Sequence, residues 1–276
     1  MNNGFLICAS SENYLHQAYL ACLSIKAINR NSFVSLLTNA QVTQKYNEIF
    51  DNVFILFDKN VNDRYALELR QCVYDVTPYD NTIVIDTDVL VLENLDSCWN
   101  YLISNTSILF TTKAFTYRYE LIKDNYYRKS FIYNNLPNTY SAFYFFKKNA
   151  ISNEFFNLLK LVNLNWNKFY NIFCPNYTPK QPSMDISVAI SYIILDCNDF
   201  NHIMPVNLVH MKTRIQNWEN YADQWTNTIS FNLTNNGNLY VGNYKQKGIF
   251  HYVENSFVTD NIVEIFEKRC NELHSI

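Results

Sequence analysis

Asp86 and Asp88 stand one residue apart inside an otherwise apolar run: residues 81–91 read NTIVIDTDVLV. Thr82, Ile83, Val84 and Ile85 lead into them, and Val89, Leu90 and Val91 follow at once. A run this short and β-branched, bounded by polar residues, is expected to be a central strand buried on both faces. An ionised carboxylate there is costly unless it is paired or bound to a metal. Alternate residues of a strand point the same way, so the two acids can address one hard cation through oxygen, the donor that Mg²⁺ and Mn²⁺ prefer. The rival reading stops the strand at Asp86 and leaves both acids solvated in a turn; the return of apolar residues at 89–92 weighs against it. His251, in Phe250-His251-Tyr252 shortly after Gly248, and His210, in Leu208-Val209-His210, are histidines within short apolar runs.

The elements that must position these residues alternate between strand and helix. Residues 5–9 (FLICA) form a short apolar run, broken by Ser10-Ser11-Glu12-Asn13. Leu15, Ala18, Cys22 and Ile25 then recur on one helical face. Residues 34–37 read as a second strand, 42–49 as a weak helix and 53–57 as a third strand. Residues 64–76 read as a helix with Tyr65, Leu69, Cys72 and Val76 on one face, stopped by Pro78. Such alternation predicts a parallel α/β sheet, with the acid pair at a strand's carboxyl end, where open α/β sheets bind ligands. Further on, 108–111 and 140–146 read as strands and 152–164 as an amphipathic helix. Met184-Asp185 opens another helix, with Ile186, Ala189, Ile190 and Ile193 inward. Short strands follow at 206–210 and 248–252, and a last helix at 260–273. Residues 117–138 are charged and Tyr-rich and fit no pattern, as an inserted lid would.

Composition bounds the function. A length of 276 residues with 48% hydrophobic side chains is ample for one large core. Only 4 glycines and 6 prolines against 21 tyrosines and 20 phenylalanines indicate few flexible linkers and much aromatic packing. A net charge of -3 with scattered Lys and Arg argues against nucleic acid or an anionic membrane as the main partner. Small anionic ligands remain open. The 7 cysteines show no C-x-x-C pair, as expected of reduced, mostly buried thiols in the cytoplasm. No window approaches the roughly 18 apolar residues of a transmembrane helix, and Met1-Asn2-Asn3-Gly4 lacks the basic start of a signal peptide.

Three blocks taken in order, FLICASSENYLHQAYLACLSIKA at 5–27, IVIDTDVLV at 83–91 and FHY at 250–252, resemble the GT-A-type glycosyltransferases, most closely the glycogenin and lipopolysaccharide-galactosyltransferase family. The resemblance implies an α/β, Rossmann-like GT-A fold with a mixed, mostly parallel sheet and flanking helices. It implies one catalytic domain over 1–276, residues 1–100 forming the nucleotide-sugar half and 101–276 the acceptor-side half. It further implies a metal-dependent hexosyltransferase that moves a sugar from a nucleotide-diphosphate donor, a UDP-sugar, to an acceptor hydroxyl with retention of configuration, using Mn²⁺ or Mg²⁺. The acceptor, whether glycan, lipid-linked or protein, is not readable.

Residue by residue, the family's base-reading pattern maps onto Ala9, Ser11, Asn13 and Tyr14, with Ser11 where an acid is usual. The Asp-x-Asp signature maps onto Asp86, which also approaches the ribose, and Asp88, which binds metal more directly. Arg70 is the counterpart of a donor-contacting basic residue. The family's late His-x-x-Gly-x-x-Lys supplies a third metal ligand, which the resemblance makes His251, with an ordinary strand histidine as its alternative and His210 in reserve; Glu254 replaces the glycine and Phe257 the lysine. That removes a positive charge from the departing diphosphate, for which Lys245, Lys247 or Arg214 are candidates. The sugar-binding Asn-Ala-Gly appears as Tyr140-Ser141-Ala142. Asp185 alone survives from an Asp-Gln helix start, as the candidate catalytic carboxylate: it would orient the acceptor hydroxyl, act as base, or stabilise an oxocarbenium-like sugar. A helix-cap role is its alternative. Tyr14 also reads as an ordinary surface tyrosine.

Two other classes compete. A haloacid-dehalogenase-like phosphatase wants its Asp-x-Asp on the first strand, whereas here a full βαβα stretch precedes it. A catalytically degenerate nucleotide- or glycan-binding protein on the same fold is suggested by the missing lysine and glycine.

Overall fold

The computed structural model describes residues 2–56, 67–122, 128–196, 202–212 and 223–274. Its first half builds the expected alternation: β1 (Asn3–Ala9), α1 (Glu12–Lys26), β2 (Phe33–Thr38), α2 (Gln44–Ile49), β3 (Asn52–Ile55), α3 (Leu67–Arg70), α4 (Val73–Val76) and β4 (Asn81–Ile85). Residues 64–66 and Phe57 lie outside the described residues. The helix expected over 64–76 is interrupted: Cys72 N–H donates to Leu69 O at 3.1 Å, a tight closing turn, before α4 starts.

Next come β5 (Val89–Val91), α5 (Asp96–Asn105), β6 (Ile108–Thr111), β7 (Ala114–Phe115), α6 (Lys129–Asn134), β8 (Tyr140–Lys147), α7 (Ala150–Leu164), α8 (Trp166–Phe173) and α9 (Met184–Leu195). The remainder is β9 (Leu208–His210), α10 (Trp225–Thr228), β10 (Phe231–Leu233), β11 (Leu239–Val241), β12 (Tyr244–Lys245), β13 (Ile249–His251) and α11 (Asp260–His274). The six-stranded sheet runs β3-β2-β1-β4-β8-β6. Its first four strands are parallel and β8 is antiparallel to both β4 and β6. The strand order therefore reverses beside β1 and β4, and their carboxyl ends meet there.

Residues 83–85, just before Asp86, are apolar at every position because this sheet is covered on both faces. Phe5, Ile7, Ile83, Ile85, Phe143 and Phe145 join Leu15, Ala18 and Cys22 of α1 on one side. Leu6, Val84, Tyr144 and Phe146 meet Phe155, Phe156 and Leu159 of α7 and Val188 of α9 on the other. Gly4 has no room for a side chain: a Cβ there would collide with the Tyr79 ring, whose hydroxyl bonds Ser35 Oγ at 2.6 Å.

Two further expectations change. Ile193, expected inward on α9, is 42% exposed. Asp86 and Asp88 do not share a strand: β4 ends at Ile85, Thr87 and Asp88 turn, and Val89 opens β5 in a different sheet, of order β5-β13-β9-β7. The apolar run resumes because it enters a second sheet, not because one strand continues. A three-stranded antiparallel sheet, β10-β11-β12, completes the strands. The six cysteines among the described residues are free thiols, five of them buried. Among the described residues, no helix is long and apolar enough to cross a membrane.

Candidate active site

The turn between the two sheets brings the acids together. Asp86 leaves β4 with its N–H held by Ala142 O of β8 at 3.0 Å. Asp88 precedes β5, whose partner β13 runs antiparallel with His251 opposite Val89. That register sets His251 Nε2 3.0 Å from Asp88 Oδ2. Gly248 makes the approach possible, with φ of +73°, and a Cβ there would stand 2.6 Å from Asn207 O. Thr87, between the acids, donates its hydroxyl to Gln17 Oε1 at 3.4 Å, and Gln17 Nε2 donates to Asn255 Oδ1 at 2.6 Å. Helix α1 thereby braces the turn from behind.

One ligand atom from each of Asp86, Asp88 and His251 lies within 4.8 Å of the others. Two carboxylate oxygens and an imidazole nitrogen form a donor set suited to Mn²⁺ or Mg²⁺, so the residues fit a divalent cation. The two acids have separate basic partners, Arg70 and His251. Arg70 Nη2 pairs with Asp86 Oδ1, and its Nε is buried with no partner. Burial raises Asp86 above the usual carboxylate value, against the pull of Arg70. Burial also opposes ionisation of Asp88, but the His251 charge and hydrogen bond outweigh it and lower its value. For His251 burial lowers and Asp88 raises; the net direction is up.

From this group a cleft of about 430 Å³ runs past Arg70 and Ala142 to Arg128, Tyr140, Ser141 and Asp185. Asp185 lies in the first turn of α9, whose N-cap position is Ser183. Its carboxylate is not spent on capping. Oδ1 accepts from Ser141 N at 2.9 Å and Ser141 Oγ at 2.7 Å, and Oδ2 accepts from Arg128 Nη1 at 2.7 Å.

His210 also lines the cleft, its ring centroid 4.4 Å from that of His251. It is not one of the three clustered ligands. Burial, then the charges of His251, Lys212 and Arg128, hold it well below the ordinary histidine value, so it is neutral. Its Nδ1 accepts from Lys212 N–H at 3.3 Å, which places its proton on Nε2.

Ala9 ends β1, Ser11 is the N-cap of α1, and Asn13 and Tyr14 are exposed in that helix's first turn. All four sit at the carboxyl edge of the sheet, but none lines the cleft. Lys245 and Lys247 are exposed at and beside β12 and do not line it either. Arg214 lies outside the described residues. At the family's glycine and lysine positions the chain is built for packing. Val253 takes a φ of 67°, a strained value for a β-branched residue. Glu254 then accepts from Trp225 N at 2.9 Å. Phe257 is fully buried against Trp225, Phe231, Phe250 and Tyr252.

Arg128 is the site residue that sequence patterning did not single out, because it sits in the Tyr-rich stretch at 117–138 where no period exists to follow. Residues 123–127 of that stretch lie outside the described residues; 129–134 form α6.

No family model and no curated protein matches the chain. Among solved structures it is similar to the galactosyltransferase LgtC, determined with donor and acceptor sugar analogues, at 12% identity over 99% of this chain and 97% of that one, with a TM-score of 0.51. It is also similar to the apo-form glycosyltransferase GlyE of Streptococcus pneumoniae TIGR4, at 13% identity over 99% of this chain and 63% of that one, with a TM-score of 0.52. With a mostly parallel sheet flanked by helices, and with these likenesses running through its whole length, the chain has the fold of the GT-A glycosyltransferases.

Proposed function

We propose that this chain is a metal-dependent glycosyltransferase that moves a hexosyl group from a nucleoside-diphosphate sugar, UDP-linked, to an acceptor hydroxyl. The observation that carries this is the convergence of Asp86, Asp88 and His251, of which Asp86 and His251 line the same cleft as Asp185. When bound there, Mn²⁺ or Mg²⁺ supplies Lewis-acid neutralisation of the departing diphosphate. Asp86, Asp88 and His251 hold it. Arg70, bonded to Asp86 through one nitrogen, has further N–H donors for the donor's ribose or sugar. Asp185 faces the sugar. Its carboxylate already accepts three hydrogen bonds, a fixed geometry that suits an orienting and electrostatic role in transfer with retention. Ala9, Ser11, Asn13 and Tyr14 meet the base, and the stretch at 117–138 meets the acceptor.

The test is calorimetric binding of UDP, GDP, CDP, ADP and dTDP with Mn²⁺ and with chelator, on the parent and on Asp88→Ala. One nucleotide should bind tightly, and the binding should vanish with chelator and in the variant. Binding that ignores both metal and Asp88 defeats the proposal. A second reading rests on Phe257, committed to packing, and Glu254, committed to hydrogen bonds from Trp225 and Thr226, where a diphosphate-binding lysine and its glycine are expected: a nucleotide-sugar-binding protein without transferase activity. Metal-dependent binding with no hydrolysis or transfer of any donor sugar would favour it.

A further inference from the structure

The Arg128 guanidinium is only 4% exposed. It lies 3.7 Å from the Phe131 ring centroid and 4.3 Å from that of Tyr140. Nε and Nη2 donate to Asn138 Oδ1 at 3.1 and 2.7 Å, Nη2 donates to Thr139 O at 2.5 Å, and Nη1 donates to Asp185 Oδ2 at 2.7 Å. A planar fork held by two rings and three acceptors has almost no rotational freedom left. Its position is therefore dictated by α6 and Asn138, and it dictates the position of Asp185.

An ionised carboxylate has about four lone-pair directions. Arg128 takes one at Asp185 and Ser141 takes two. The direction that remains belongs to a group lining the cleft, and it suits one hydroxyl donor held at a fixed point. We propose that Arg128 is a positioning residue: it aims the open acceptor site of Asp185 at a single hydroxyl of the donor sugar, so that the segment leading to Asn138 determines which sugar is held. This rests on the transferase reading above. Arg128 does not itself touch the sugar in this scheme. Without it, Asp185 keeps Ser141 but loses its buried counter-charge and is free to turn.

The experiment compares nucleoside diphosphates with their sugars on the full chain. Parent, Arg128→Lys and Arg128→Met are titrated with UDP, GDP and ADP and with the glucose, galactose and N-acetylglucosamine derivatives of each, Mn²⁺ present. In the parent, one sugar should bind more tightly than its bare nucleotide. Both variants should bind the bare nucleotide as the parent does and lose about tenfold of the sugar increment, the lysine no less than the methionine, because it keeps the charge but not the fork. With transfer assayed, kcat should fall while inhibition by the bare nucleotide stays unchanged. Should Arg128→Met fail to fold by thermal melting, Asn138→Ala, which unpins the fork and leaves the ion pair, decides by the same comparison. Folded variants that keep the full sugar increment overturn the proposal. A parent that binds no nucleoside diphosphate with metal instead overturns the transferase reading, and that result is visible before any variant is made.

Discussion

His251 Nε2 faces Asp88 Oδ2 at 3.0 Å because β13 pairs with β5 in the register that opposes His251 to Val89. The pair joins positions far apart in the chain, and it makes cation binding a competition with a proton. Asp88 lies below its usual value and is ionised at neutral pH. Burial would lower His251, but Asp88 raises it above 6.5. A ligand nitrogen must be deprotonated to bind metal. Mn²⁺ affinity should therefore fall about tenfold per pH unit below the raised His251 value and level off above it. Calorimetry in buffers of different ionisation enthalpy should show proton release on the sloping limb and none on the plateau; a flat profile from pH 6 to 9 would remove His251 from the site. In the metal-free protein the sign is opposite. The charged histidine's contribution to stability is complete below about 6.5, its unfolded value, and is lost as pH rises through the raised native one.

Arg70 is the sole cation paired with Asp86 among the described residues, and both are largely buried. Arg70→Met should leave an uncompensated buried acid and cost about 3 kcal/mol in denaturant unfolding. Added Mn²⁺ should stabilise this variant more than the parent, since the ion then replaces the missing charge. Equal thermal shifts for the two proteins would show that the ion does not meet Asp86.

Phe257 stands where the family resemblance expects a lysine, and it is enclosed by Trp225, Phe231, Phe250 and Tyr252. Phe257→Lys should not restore a diphosphate contact. It should destabilise the protein by about 4 kcal/mol through lost packing and a buried ammonium. A folded variant with tighter nucleotide binding would instead place residue 257 at the cleft.

Asp185→Asn keeps the side chain's shape and removes its charge. Its new amide must confront either the Ser141 donors or Arg128. We expect kcat for transfer to drop about 100-fold while bare nucleotide binding holds. Unchanged kcat would leave Asp185 as a structural anchor for Ser141 and Arg128 alone.

Much of this was legible in the residues, for reasons tied to local periodicity. The runs at 5–9 and 83–85 are apolar at every position because both faces of the sheet are covered, and that pattern survives in one dimension. Asp86 and Asp88 stand out in the sequence as charges inside such a run, whereas His251 and Asp185 are singled out by the family resemblance. Position 257 also announced its departure, since Phe cannot do what a lysine does at a diphosphate.

What only the tertiary structure decided concerns how these residues meet. Strand alternation suggested that Asp86 and Asp88 point the same way; in fact the chain changes sheets between them, and the convergence depends on a pairing between β5 and β13 that no local pattern encodes. Arg128 lies in a stretch without period, and its meaning comes from Asp185, Asn138 and Tyr140, which reach it through separate elements. The sequence by itself determined which side chains are chemically able and which segments form strands and helices, because propensity and burial act over a few neighbouring residues. The fold alone decided which acid meets which cation, because those contacts are set by strand register and by the packing of elements distant in the chain.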